Sequence, residues 1–271
     1  MAEYVRVSLQ GLRRKPPVVI YQVGKVGSQT VYRTLCAARL SNPLYHVHWL
    51  SPDSIRDIEE QYRNSGTRVM PRHLITSRIL RRRLDRHAQA RWLIITLVRD
   101  PVARTISEFF ELMRVFYPEL IASDKSVHAD RAIEVLQKTF EKFDESTDRT
   151  CTWFDRELKA VLGIDVFAHP FGQQEGYSIL RDRDVQVLVL RLEDLDRNVM
   201  TLARFLSLSE PLRLVKANLS TTKEVASAYR FVLDNLCIPK PVCARIYSSR
   251  YAEHFYPESM RSAWMRKWSR A

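Results

Sequence analysis

Cysteine is scarce in this chain. Four occur in 271 residues, at Cys36, Cys151, Cys237 and Cys243. None forms a Cys-x-x-Cys pair and no His cluster has zinc spacing, so a metal site has no basis in the sequence. Few, scattered cysteines in a chain of this size read as reduced and intracellular. Long apolar runs are also missing. The longest, Trp92 to Val98, is far short of the roughly 20 residues that span a bilayer. The N-terminus has no apolar signal core, and no repeat or low-complexity tract is present. The expectation is a soluble, cytoplasmic protein without a transmembrane segment; peripheral membrane contact stays open. Acidic residues are outnumbered, with 31 Asp and Glu against 43 Lys and Arg, a formal net charge of +12. An anionic partner follows. Nucleic acid, an acidic membrane and a polyanionic small molecule all fit, as does a merely solvated basic surface.

What is present begins with the stretch from Val18 to Thr30, VVIYQVGKVGSQT. An apolar, β-branched run from Val18 to Val23 stops at Gly24. Lys25, Val26 and Gly27 follow, then Ser28-Gln29-Thr30 and a helical pattern to about Leu40. Strand, tight loop and helix in this order give backbone N–H groups at a helix start, a site for a phosphate-like anion. Gly27 permits close backbone approach or positive φ. Ser28 or Thr30 is placed to cap the helix, and Lys25 supplies a mobile cation. An ordinary strand-to-helix turn is the competing reading. The loop is not that of P-loop nucleotidases, which need Gly, four residues, then Gly-Lys-Ser/Thr.

A second motif follows the run Trp92 to Val98, which suits a strand buried on both faces. Arg99-Asp100-Pro101 ends it. Asp100 is a good N-cap and Pro101 a good first helical residue. An Arg at a strand end has the rigid fork that clamps a phosphate; Arg104 and Ser107 lie on the helix from Val102 to Val115.

Together these stretches resemble the PAPS-dependent sulfotransferases, which use 3′-phosphoadenosine-5′-phosphosulfate (PAPS). Lys25-Val26-Gly27-Ser28-Gln29-Thr30 resembles their 5′-phosphosulfate loop. Leu97 to Ser107, with Arg-Asp-Pro, a further Arg and then Ser, resembles their 3′-phosphate motif, and the two occur in the family's order. The resemblance implies that Lys25 to Thr30 bind the phosphosulfate and that Arg99 and Ser107 bind the 3′-phosphate. It implies a P-loop-like three-layer α/β/α fold around a central parallel sheet. The first strand should lie beside the Arg99 strand, with the site at their C-terminal ends. Arg191-Leu192-Glu193-Asp194-Leu195 resembles a turn near the end of the sulfotransferase core, either supporting the site or simply capping a helix. The layout from 17 to 257 also resembles the bacterial "putative capsular polysaccharide synthesis proteins".

The implied reaction moves a sulfuryl group from PAPS to a hydroxyl, that of a carbohydrate or related acceptor. It needs no metal, because loop amides hold the leaving phosphate, and no nucleic-acid partner. Lys25 would neutralise the leaving oxygen and a base would take the acceptor proton. His48, in the short strand Tyr45 to Leu50, is the choice for that base. His46 on the same face, or a carboxylate, is the alternative. A binding protein without catalysis would carry the same nucleotide motifs.

The rest of the chain reads as one domain. Arginine-rich 63 to 91 suits a basic exposed helix. Trp153, Phe154, Leu158, Val161 and Leu162 form a helical stripe that Gly163 ends. Ile164 to His169 reads as a strand, Phe171 to Tyr177 as a loop, Val185 to Leu190 as a buried strand and 197 to 207 as a helix. Lys216, Asn218 and Lys223 precede a helix; in sulfotransferases a late basic segment folds over the nucleotide, and the resemblance implies that part for Lys216 to Lys223. The expected organisation is a basic arm over 1–15, an α/β nucleotide-binding core over 16–210 and a helical extension over 211–271.

Overall fold

The structure is a computed structural model and describes residues 15–64, 72–86, 91–215 and 223–269. In chain order the elements are β1 (Val18–Tyr21), α1 (Ser28–Ala37), β2 (Leu44–Val47), α2 (Pro52–Asn64), α3 (Arg72–Arg86), β3 (Trp92–Val98), α4 (Pro101–Phe116), α5 (Ala129–Glu141) and α6 (Arg149–Phe154). There follow β4 (Tyr177–Asp182), β5 (Val185–Arg191), α7 (Val199–Phe205), α8 (Lys223–Asn235), α9 (Lys240–Tyr247), α10 (Arg250–Phe255) and α11 (Glu258–Trp268). Two compact units result, one of residues 1–99 and 153–217, the other of 100–152 and 218–271.

The first unit carries a five-stranded sheet of order β2-β1-β3-β5-β4. β1 pairs in parallel with β2 and with β3, and β3 in parallel with β5. Every residue of β1 is buried, as are the last five of β3 and of β5. Successive strand residues point to opposite faces, so both faces of the sheet are covered, as the three-layer α/β/α class requires. The chain leaves β1 toward β2 and returns to β3 on the other side. That reversal is a topological switch point, where open α/β sheets bind ligands beyond the strands' C-terminal ends.

One strand departs from the all-parallel expectation: β4 runs antiparallel to β5 at the edge of the sheet. Two residues, Arg183 and Asp184, join them, and Arg183 has φ 47°. A two-residue hairpin with positive φ leaves no other pairing direction. Ile164 to His169 is not a strand either. Asp165 accepts from Phe167 N at 3.1 Å and starts a 3₁₀ turn over Val166–Ala168. The stripe from Trp153 to Leu162 is interrupted by a π-turn at Asp155–Lys159, ahead of one helical turn that Gly163 ends at φ 73°. β1 stops at Tyr21, two residues early, and α1 stops at Ala37.

The second unit is helical. Val102, Ile106, Phe110 and Met113 of α4 share one buried cluster with Leu136 and Phe140 of α5, Val232 of α8, Ile246 of α9 and Trp268 of α11. Each such side chain withdraws roughly 1.5–3 kcal/mol of apolar surface from water. Asp100 and Pro101 start α4 as expected, with Asp100 Oδ1 accepting from Val102 N at 3.1 Å. The same carboxylate takes the Tyr247 hydroxyl at 2.8 Å and the Trp268 indole N–H at 3.1 Å. The Asp of the Arg-Asp-Pro motif thereby anchors the C-terminal helices of its own unit.

Candidate functional site

Gln22 to Gly27 leave the C-terminal end of β1 at the switch point. Lys25 has φ 70° and Gly27 φ 80°, so the chain twice enters the left-handed region. Lys25 carries a Cβ there, a conformation that costs about 1–3 kcal/mol. Gly27 is also hemmed in: a Cβ on it would run into the Leu192 side chain. Both reasons for glycine apply, and the close approach is to Leu192.

Gly27 is the N-cap of α1 and no side chain caps the helix. Ser28 and Thr30 therefore do not cap it; Thr30 N bonds Gly27 O at 3.0 Å, and the Ser28 hydroxyl turns to His46 Nε2 at 3.0 Å. No acceptor among the described residues takes the N–H groups of Val26, Gly27, Ser28 and Gln29. Four consecutive donors at the positive end of a helix form a cradle for an anion. The donor set fits the phosphosulfate group of a nucleotide.

Arg99 stands directly after β3, across the switch point. Its Nη1 donates to the Lys25 carbonyl at 2.9 Å. One guanidinium thus holds the loop at the same sheet edge. Arg104 has a different part: it is buried in the second unit, donating to Thr150 Oγ1 at 3.1 Å and to Glu108 Oε1 at 2.7 Å. Ser107 is half-buried on α4 in that unit, and its side chain makes no hydrogen bond among the described residues. Lys216 and Asn218 lie outside the described residues, as does the side chain of Lys223.

His46 ends up on β2 and His48 one residue past it, their rings 5.1 Å apart, with His73 of α3 5.2 Å from His48. Hydrogen bonding separates their roles. His48 Nδ1 lies 3.0 Å from the Gln22 carbonyl. Gln22 Nε2 lies farther off, 3.3 Å from the same nitrogen; the shorter contact is to a carbonyl, which only accepts, and it favours the tautomer with the proton on Nδ1 and Nε2 as the basic nitrogen. His46 Nε2 sits 3.0 Å from both Ser28 Oγ and Gln22 Nε2; an amide N–H only donates, so Nε2 accepts from Gln22. Burial, then the nearby His48 and His73, hold the His46 pKa well below the usual imidazole range. His46 is a neutral acceptor that orients Ser28.

Two residues fix this corner, Glu157, which the sequence left unmarked, and Trp153, which it marked only as one of a helical stripe. Glu157, fully buried in the π-turn, accepts through Oε2 from Leu50 N at 2.7 Å, Ser51 N at 3.0 Å and the Tyr21 hydroxyl. Burial raises its pKa, and raises that of Tyr21 more strongly. Trp153 donates its indole N–H to the His48 carbonyl at 2.9 Å. The only sequence signal for either was a helical stripe, which gave core packing and no polar partner. On the loop's other side, Arg191 pairs with Asp194 and donates to the Gln173 carbonyl at 2.9 Å. This fixes the 3₁₀ turn Leu192–Asp194 against Gly27. The Arg-Leu-Glu-Asp-Leu segment is thus a support for the loop.

Among the described residues no group of His, Cys, Asp or Glu is placed to hold a metal ion. No helix among them is long and apolar enough to cross a membrane.

A mostly parallel five-stranded sheet with a switch point between β1 and β3 defines an α/β fold whose ligand corner lies beyond the C-terminal ends of those strands. Residues 12–168 match the Sulfotransferase family. The match covers more than half of the chain, and the protein belongs to that family. Residues 124–257 match the family "Putative capsular polysaccharide synthesis protein". No curated protein and no solved structure matches the chain. Membership supports a sulfotransferase role, with a sulfuryl donor and an acceptor as substrates.

Proposed function

We propose that the chain transfers the sulfuryl group of PAPS to a hydroxyl of a carbohydrate or related acceptor, in the cytoplasm. One observation carries the reading. The four N–H donors of Val26 to Gln29 lie at the switch point, and Arg99 holds the loop that presents them. In this reading the loop holds the 5′-phosphosulfate, and Arg99 binds the 3′-phosphate with Ser107 as the second ligand its motif implies. Sulfuryl transfer needs positioning and charge neutralisation more than covalent help. The acceptor oxygen forms a bond to sulfur as the bond from sulfur to the bridging oxygen breaks, and the electron pair stays on the leaving phosphate. Lys25 neutralises that charge. The acceptor proton passes to His48 Nε2, the nitrogen that the Gln22 carbonyl leaves basic.

The test is transfer of label from sulfur-labelled PAPS to a panel of sugar, phenol and capsular acceptors, with hydrolysis to water as the fallback assay. Lys25→Ala lowers turnover far more than affinity for adenosine 3′,5′-bisphosphate, because its charge matters most in the transition state. His48→Ala leaves that affinity nearly intact and cuts transfer ~10²–10⁴-fold. Full activity in His48→Ala would move the base to a carboxylate or to His46. Nucleotide binding with no transfer to any acceptor or to water would make the chain a binding protein.

A further inference from the structure

The first unit has a second basic feature, far from the loop after β1. A cavity of about 720 Å³ opens at the opposite edge of the sheet, among residues that precede β1, β2 and β3. Lys15, Arg91, Arg181 and Arg204 line it, and among the described residues no Asp or Glu does. Asp182 and Asp184 of the neighbouring hairpin are not part of the lining. Lys15 bonds Ser41 Oγ at 2.7 Å; the three arginines make no ion pair among the described residues. β3 has seven residues, so at ~3.3 Å per residue this edge is about 20 Å from the switch point.

Four like charges around one concavity repel one another, and nothing in the lining offsets them. A bound polyanion does. The rest of the lining suits a ring with hydroxyls: it combines the aromatic residues Tyr177 and Phe205 with the polar residues Gln186 and Thr201. The volume falls in the roughly 300–1,000 Å³ range of small-ligand sites. Duplex nucleic acid is read by protruding elements that enter a groove, and a lipid surface by a projecting amphipathic face. A concave cavity offers neither.

We propose that this cavity is a second anion site, for a sulfated or carboxylated oligosaccharide, separate from the loop after β1. Sucrose octasulfate is the probe, with sucrose as the neutral control, titrated by calorimetry at several salt concentrations. The triple variant R91A/R181A/R204A alters only exposed side chains. It weakens octasulfate binding about tenfold or more, at the scale of three exposed ion pairs, and flattens the salt dependence. The double variant R230A/R266A, which removes exposed arginines elsewhere, leaves binding within twofold of wild type, and so does Lys25→Ala. Sucrose itself does not bind. Equal loss in the triple and double variants, no loss in the triple, or loss in Lys25→Ala would overturn the site. Equal affinity for tripolyphosphate, which has no ring, or preference for phosphatidylglycerol vesicles would overturn the saccharide assignment.

Discussion

Glu157 shows how much a single buried carboxylate can hold. Two backbone N–H groups and one phenol depend on its Oε2, and Leu50 and Ser51 directly follow the His48–Trp49 pair. Glu157→Ala leaves three buried donors without an acceptor, each costing about 1–3 kcal/mol. A loss of roughly 3–5 kcal/mol is expected by urea denaturation, with a smaller loss for Glu157→Gln, which keeps one acceptor oxygen. His46 gives a pH prediction. Its folded pKa lies below the unfolded value of about 6.5, so between the two the unfolded chain binds more protons. Stability therefore rises with pH through that window and is lost as pH falls through it. Urea midpoints at pH 5.5 and 7.5 should differ in the wild type and differ less in His46→Gln. The sequence allowed little of this to be read. Glu157 meets Leu50 at a separation of 107 positions, and no periodicity encodes such a pairing. His46 and His48 were visible as a pair. Only the Gln22 carbonyl and Ser28 hydroxyl, brought alongside by folding, separate the surroundings of the two rings.

At the scale of elements, local chemistry carried the reading furthest. β3 spans the apolar run Trp92 to Val98, and Asp100 with Pro101 starts α4, because cap and run both act within a few residues. β4 escaped notice because its hairpin turn, Arg183-Asp184, lacks the Asn or Gly that usually marks positive φ. The π-turn escaped because one added residue per turn keeps the composition of a helix while shifting its face. The loop after β1 was legible as strand, Gly and helix, but its rigid support was not. Leu192, on a turn more than half the chain away, blocks any side chain at Gly27. Gly27→Ala is therefore expected to cost about 1–3 kcal/mol in stability from backbone strain, to displace the loop and to weaken nucleotide binding. Adding Leu192→Ala relieves the steric part and leaves the φ penalty, so the double variant recovers only some of the loss. Full recovery in a double-mutant cycle by thermal denaturation would mean that the positive φ carries no cost.

At the scale of the whole molecule, a chain of net charge +12 sets the N–H groups of Val26 to Gln29 and the Arg99 guanidinium at the C-terminal edge of a mostly parallel sheet. In the proposed function this edge reads one nucleotide through two separate anions, a phosphosulfate on the loop and a 3′-phosphate at Arg99. Net charge alone would favour any anion. Paired recognition favours only a ligand with phosphates at both the 5′ and 3′ positions. The direct measurement is the melting temperature with adenosine 3′,5′-bisphosphate against that with AMP, at equal concentration and constant ionic strength. A ligand specific to the folded state stabilises by about 2.7 kcal/mol at 100 times its dissociation constant, so a difference in affinity appears as a difference in shift. The account predicts a clearly larger shift with the bisphosphate, lost in Arg99→Ala. Equal shifts with the two nucleotides, or a bisphosphate shift that survives Arg99→Ala, would contradict it.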